Sequence, residues 1–233
     1  MTMIERRLLL INQKIKTTCN FYDIEAKKIN LVAVSKMQNK ESIIAAISAG
    51  CTIFGENYLK EAAEKWSELK ILYPKIKLHL IGHLQSNKTG QALELFDVIE
   101  SLDSQKLAIK IKNEILKLLS ESQNKFISPE IFIQVNIADE KSKSGIKPFE
   151  AKEFINFAKN DCGLNVNGLM TIPPQNEAPA PYFALLAKIA RENNLKNLSM
   201  GMSADYQDAI ATGANYIRLG TAIFGKRDSF EAR

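Results

Sequence analysis

Cysteine is scarce in this chain and histidine scarcer still. The three cysteines, Cys19, Cys51 and Cys162, stand far apart among 233 residues, and none forms a Cys-x-x-Cys pair. That spacing argues against zinc ribbons and disulfide frameworks and fits a reducing compartment, the cytoplasm. No apolar run is long enough to span a bilayer. The opening stretch MTMIERRLLLINQKIK carries charge on both sides of a short apolar run, so it reads as an amphipathic helix rather than a signal peptide. Gly-x-Gly-x-x-Gly is absent after the first expected strand, which removes the usual mark of a dinucleotide-binding open sheet. No linker rich in Pro, Gly and Ser interrupts the chain, so residues 1–233 read as one domain. The net charge is +5, yet there is no arginine-rich arm and no basic run interleaved with aromatics. Segments such as NYLKEAAEKWSELK mix both signs, as solvated helix faces do, and neither a nucleic-acid nor a membrane partner is expected.

What is present is a repeating alternation. Short runs rich in Val, Ile and Leu recur as LVAVS (31–35), TIFGE (52–56), LHLIG (78–82), VIESL (98–102), EIFIQVN (130–136), VNGLMTI (166–172), NLSMG (197–201) and YIRLG (216–220). Between them lie segments with apolar residues three and four apart, such as SQKLAIKIKNEILKLLSES, and SIIAAISAG ends on Gly50 as a helix C-cap would. Several strands are apolar on both faces, which means a parallel sheet covered by helices. Eight units predict a single (β/α)8 TIM barrel, with an extra helix over about residues 3–20 capping it. The proline-rich TIPPQNEAPAPY (171–182) is expected as a loop at the barrel mouth.

In such barrels the active site is built at the carboxyl ends of the strands. Lys36 stands there, directly after the first strand. Low-dielectric surroundings disfavour an ammonium and make a lysine a nucleophile able to form a Schiff base with an aldehyde. The loops after strands seven and eight are the common phosphate site of the fold. There SMGMS offers hydroxyls at Ser199 and Ser203, and LGTAIFG offers the Gly220–Thr221 turn, with Arg218 just before it on the strand. A lysine for an aldehyde, a cradle for a phosphate and a polar partner for a ring nitrogen are the three requirements of pyridoxal 5′-phosphate.

The motifs AVSK, FGENY, HLIGHLQSNK, QVNIADEKSKSGI, GLMTIP, LSMGMSADYQDAI and IRLGTAIFG, in this order from about Lys14 to Arg227, resemble the YggS/PROSC family of pyridoxal phosphate homeostasis proteins. The resemblance implies a barrel related to the N-terminal domain of alanine racemase. It implies that Lys36 holds the cofactor as an internal aldimine, and that Arg218 faces the pyridine nitrogen. It also implies that Ser199, Gly220 and Thr221 hold the phosphate, and that Asn57 lies beside the ring. The implied role is binding of pyridoxal phosphate in vitamin B6 and amino-acid homeostasis without conventional catalysis, with apoenzymes as recipients. No resident metal is expected, and the expected state is a monomer.

An alternative is a weak amino-acid racemase or lyase acting through Lys36 and Tyr58. Two features weigh against it. A guanidinium cannot accept a proton, so it would leave the ring nitrogen unprotonated and the cofactor a weak electron sink. No second domain is expected after Arg233 to bring a base. One departure from the family pattern is His83, where proline is usual. His79 and His83 are the only histidines; four extended residues span roughly 13 Å, too far to share one metal, so structural or solvent-exposed roles are expected. Lys141 and Lys143 lie in a charged mouth loop, DEKSKSG, where either is a conceivable transient acceptor during hand-over.

Overall fold

A computed structural model describes residues 1–121 and 126–225. The end of the motif match, to Arg227, and the last residue of the segment SQKLAIKIKNEILKLLSES lie outside them. Eight parallel strands close on themselves in chain order, β1 next to β2 and so on round to β8 beside β1. They are β1 (Asn30–Val34), β2 (Ile53–Glu56), β3 (Lys77–Leu80), β4 (Val98–Leu102), β5 (Glu130–Gln134), β6 (Val166–Met170), β7 (Asn197–Ser199) and β8 (Tyr216–Leu219). Each overlaps an expected run, and six of them end before it does, at the mouth side. There the backbone leaves the ladder for the loops: Gly82, Asn136, Ile172 and Gly201 are already outside the strands.

Around the barrel run α1 (Met3–Phe21), α2 (Lys40–Ser48), α3 (Leu59–Leu72), α4 (Thr89–Leu95), α5 (Gln105–Glu121), α6 (Ala151–Asn156), α7 (Ala180–Glu192), α8 (Tyr206–Ala211) and the short α9 (Thr221–Phe224). The N-terminus of α1 is fixed by a reciprocal cap between Thr2 and Glu5. Gly50, at φ +97°, follows α2 in the left-handed conformation that suits glycine. The eighth unit's own helix is a stub of four residues. α1 packs against α2, α8 and α9, burying Leu8, Ile11 and Ile15, and so completes the outer ring beside the short α9.

Parallel strands with helices outside bury both faces. Outward residues such as Phe54, Leu78, Ile99, Ile131, Ile217 and Leu219 join the helices in one large core that includes Trp66 and Phe183. Inside the barrel the filling is different. Val98, Phe132 and Met170 form a small apolar plug with Tyr216 and Ile172. Beside them lie Glu100, His79, Ser199 and Arg218, all buried. Among the described residues no helix is long and apolar enough to cross a membrane.

Candidate functional site

Strand register decides which side chains meet. Val32 of β1 pairs with Arg218 of β8, and partners in a parallel pair point to the same side. Ser35 faces outward: its hydroxyl donates to Glu56 Oε1 at 2.6 Å, and Trp66 of α3 donates to the same oxygen at 3.0 Å. Lys36 follows in the turn after β1, at the carboxyl end of the strand, and it is half-buried. Both flanks of Lys36 are held from outside. Lys65 Nζ donates to the Ser35 carbonyl at 2.8 Å and pairs with Glu56 and Glu61 at 2.7 and 2.8 Å. The Met37 N–H donates to Glu61, and Met37 takes a left-handed φ of +59°. Lys65 and Glu56 are both buried; every partner named here is on Glu56 Oε1, and Oε2 has no hydrogen-bond partner in the protein.

Next to β1, the end of β2 presents Asn57. Its Oδ1 is buried and has no hydrogen-bond partner in the protein. Gly82 is what lets it sit there: a Cβ on Gly82 would lie 2.2 Å from the Asn57 carbonyl oxygen. Asn57, Gly82, His83, Gln134, Asn136 and Lys143 line a cavity of about 240 Å³ at this side of the mouth. Lys143 is tied down there, 2.6 Å from Glu140 and donating to the Pro173 carbonyl at 3.0 Å. Its ammonium braces the proline-rich loop. Lys141 is exposed.

On the β7–β8 side, Gly201 at φ +92° turns the chain after β7, and this swings Ser203 across to α9. Ser203 Oγ is 3.2 Å from Thr221 Oγ1 and accepts from the Ala222 N–H at 3.3 Å. A Cβ on Gly220 would make only an ordinary contact, 3.5 Å from Val34. Nothing in the protein itself demands glycine there, and its bare backbone keeps the turn open to an approaching anion. Ser199, expected at this turn, lies one layer lower. It is buried, donates to Glu100 Oε2 at 2.5 Å and accepts from Arg218 Nη1 at 2.7 Å. The hydroxyl beside Thr221 is that of Ser203.

Arg218 is buried. Besides Ser199 it reaches the Thr171 carbonyl through Nη2 at 2.8 Å, and Nη1 lies 4.0 Å from Glu100 Oε2. Burial pushes the guanidinium down from its ordinary value, against the opposing pull of Glu100 and Asp205. Burial is also the largest influence on Glu100 and acts to raise it. The hydrogen bond and charge of His79, the charge of Arg218 and the Ser199 hydroxyl together outweigh it and hold the carboxyl below the usual range. His79 lies 2.7 Å from Glu100 through Nδ1, and its ring packs on Tyr216. His83 stands exposed at the rim, 3.6 Å from Asp103. Structural or solvent-exposed roles were expected for both; His79 is buried and His83 is exposed. Among the described residues no cluster of His, Cys, Asp and Glu is arranged to hold a metal.

The structure thus brings Lys36, Asn57, Gly220 and Thr221 to the mouth, with Arg218 directly below. Sequence reasoning overlooked Glu100 and its contact with His79. A charged residue in the middle of the apolar strand VIESL was the one available signal.

Comparison with known proteins agrees with this architecture. Residues 15–228 match the family "Alanine racemase, N-terminal domain". A pyridoxal phosphate homeostasis protein of Haemophilus influenzae is 36% identical, covering 97% of this chain and 96% of that protein. The human pyridoxal phosphate homeostasis protein is 38% identical, covering 88% of this chain and 79% of its own length. Among solved structures, PipY of Synechococcus elongatus with pyridoxal phosphate bound superposes with a TM-score of 0.77 at 31% identity, covering 95% of this chain and 100% of that one.

Proposed function

Since the chain belongs to the pyridoxal phosphate homeostasis protein family, we propose that it binds pyridoxal 5′-phosphate at the barrel mouth and serves as a carrier of that cofactor. The observation that carries this reading is the convergence of three unlike groups within one mouth. They are the amine of Lys36 on β1, the guanidinium of Arg218 on β8, and the hydroxyls of Ser203 and Thr221 beside the Gly220 turn. The donor set fits the cofactor. An aldehyde needs an amine, a ring nitrogen needs a donor, and a phosphate needs hydroxyl and N–H groups around an open backbone. The unpartnered Asn57 amide is a further fit, since a buried polar atom without a partner costs about 1–3 kcal/mol unless a ligand supplies one.

Bound pyridoxal phosphate supplies an aldehyde that captures amines reversibly and a pyridine ring that withdraws electrons. In this reading the chain's residues do the following. Lys36 anchors the cofactor covalently and reversibly. Gly220, Thr221 and Ser203 receive the phosphate, and Asn57 borders the ring. Arg218 donates to the ring nitrogen, and because a guanidinium accepts no proton, it keeps that nitrogen unprotonated and the ring a weak electron sink. Ser199 contributes by holding Arg218 rather than by touching phosphate. Tyr58, the base a racemase reading would need, is 58% exposed on the rim, where water competes for any proton it would hold. A site that anchors without a dry, protonated partner suits holding and release better than turnover. The recipients would be apoenzymes in the same compartment, the cytoplasm, and the working unit a monomer of one barrel domain.

Adding pyridoxal phosphate to the purified protein and recording the visible spectrum tests binding. Incubating the loaded protein with amino acids in deuterated water tests the role. The proposal expects a cofactor band and no exchange of the α-hydrogen beyond the rate of free cofactor. Exchange at enzymatic rates would overturn the carrier reading.

A further inference from the structure

Beneath the mouth four buried side chains from four different strands form a connected line: Arg218 (β8), Ser199 (β7), Glu100 (β4) and His79 (β3). Its polarity is fixed by chemistry. Glu100 is held in its ionised form and only accepts hydrogen bonds, so the Ser199 hydroxyl gives its proton to Oε2, leaving its lone pair for Arg218 Nη1. For the same reason His79 must carry its hydrogen on Nδ1, which donates to Oε1 at 2.7 Å. The two carboxylate oxygens are thus each satisfied from one side, by Ser199 and by His79. Arg218 is in turn held at both terminal nitrogens, by Ser199 and by the Thr171 carbonyl. Thr171 is itself anchored, its hydroxyl donating to the Val135 carbonyl at 2.8 Å.

The fold does not need this arrangement. Barrel interiors are filled well by branched apolar side chains, as Val98, Phe132 and Met170 fill the plug beside it. Replacing a buried ionic group by apolar residues of similar size is often neutral or stabilising. A buried Arg–Glu pair directly under a binding mouth therefore points to a task at that mouth.

We propose that Glu100, acting through Ser199, and His79 behind it are positioning residues. They fix the plane and the charge of the Arg218 guanidinium and so set the electronic environment of the cofactor ring. With both terminal nitrogens pinned, the plane of the Arg218 guanidinium is fixed beneath the mouth. With Glu100 ionised, the buried cation is balanced inside the barrel and does not draw on the cofactor for its counter-charge. The inference rests on the pyridoxal phosphate reading above and extends it one layer inward.

The test uses the full chain loaded with pyridoxal phosphate, comparing wild type with Glu100→Gln and His79→Gln. Three quantities are read at fixed pH: the position of the visible band, the rate of cofactor release on dilution, and the borohydride-trapped mass on Lys36. Trapping on Lys36 should survive in both variants, because both keep the lysine itself. In Glu100→Gln the band should shift and release should quicken about tenfold, the scale of losing one hydrogen bond to a charged group. His79→Gln should move both readouts the same way by a smaller factor, and Glu100→Asp should restore part of the band position. A band position and release rate equal to wild type in both variants, with Lys36 still trapped, would overturn this proposal while leaving the binding reading intact. Absence of any band in the wild type would overturn both. If circular dichroism shows Glu100→Gln to be unfolded, His79→Gln, which keeps the carboxylate, decides on the same two readouts.

Discussion

At the scale of single residues, one position separates a structural role from the proposed anchor. Ser35 turns outward to Glu56 and the α3 helix, and Lys36 beside it stands in the turn at the mouth end of β1. The lysine was legible in the sequence because an ammonium is out of place at the end of an apolar strand. Ser199 was harder to read. The run NLSMG reads as strand through residue 201, which puts Ser199 near the phosphate turn; β7 ends at Ser199, and the side chain points into the barrel, one layer down. The line from His79 and Glu100 to Ser199 and Arg218 could not be foreseen, since only barrel closure brings strands three and four to face seven and eight. Glu100 also sets a pH dependence. Its carboxyl is held below its ordinary value in the fold, so the stability it contributes is fully present above the unfolded value of about 4.3 and is lost as pH falls through the lower, folded value. Urea unfolding of wild type and Glu100→Gln at about pH 7 and at about pH 3, below the model-peptide value, checks this. The variant should lose less stability on acidification than wild type does; equal losses would show that Glu100 is not the group responsible.

At the scale of elements, the loops after the strands hold what the strands present. Gly82 is the sharpest case, because a Cβ there would strike the Asn57 main chain, with the carbonyl oxygen at 2.2 Å and Cα at 2.7 Å. Backbone against backbone cannot relax by a rotamer change. Gly82→Ala should therefore cost about 2 kcal/mol or more in urea unfolding and weaken cofactor binding by displacing Asn57. A variant as stable as wild type with unchanged affinity would mean that the loop after β3 shifts freely. Strand and helix positions were legible because periodicity reports burial directly. The mouth-side boundaries were not, because apolar residues continue past the last ladder bond in the segments QVNI and MTIP. The place of α1 was also hidden. Its amphipathic face was plain in sequence, but that it packs next to a four-residue α9 depends on the eighth helix being short.

At the scale of the whole molecule, closure of the sheet buries the cysteines along with the core. Cys19, Cys51 and Cys162 are free and buried, and burial pushes Cys51 up to about 11. A thiol reacts as its thiolate, so a disulfide-exchange reagent at neutral pH should leave Cys51 unmodified in the native protein and modify it once the chain is unfolded in denaturant. Prompt native-state labelling of Cys51 would mean that the wall near β2 opens without global unfolding. The same closed barrel gathers residues 36, 57, 218 and 220 from strands at both ends of the chain, and the account depends most on the first of them. The most direct measurement is borohydride reduction of the protein loaded with pyridoxal phosphate, followed by peptide mass spectrometry, beside Lys36→Ala treated identically. The account predicts the reduced cofactor's mass on the peptide carrying Lys36 and no stoichiometric label in the variant. Stoichiometric label on another lysine, or equal label in both proteins, would contradict it.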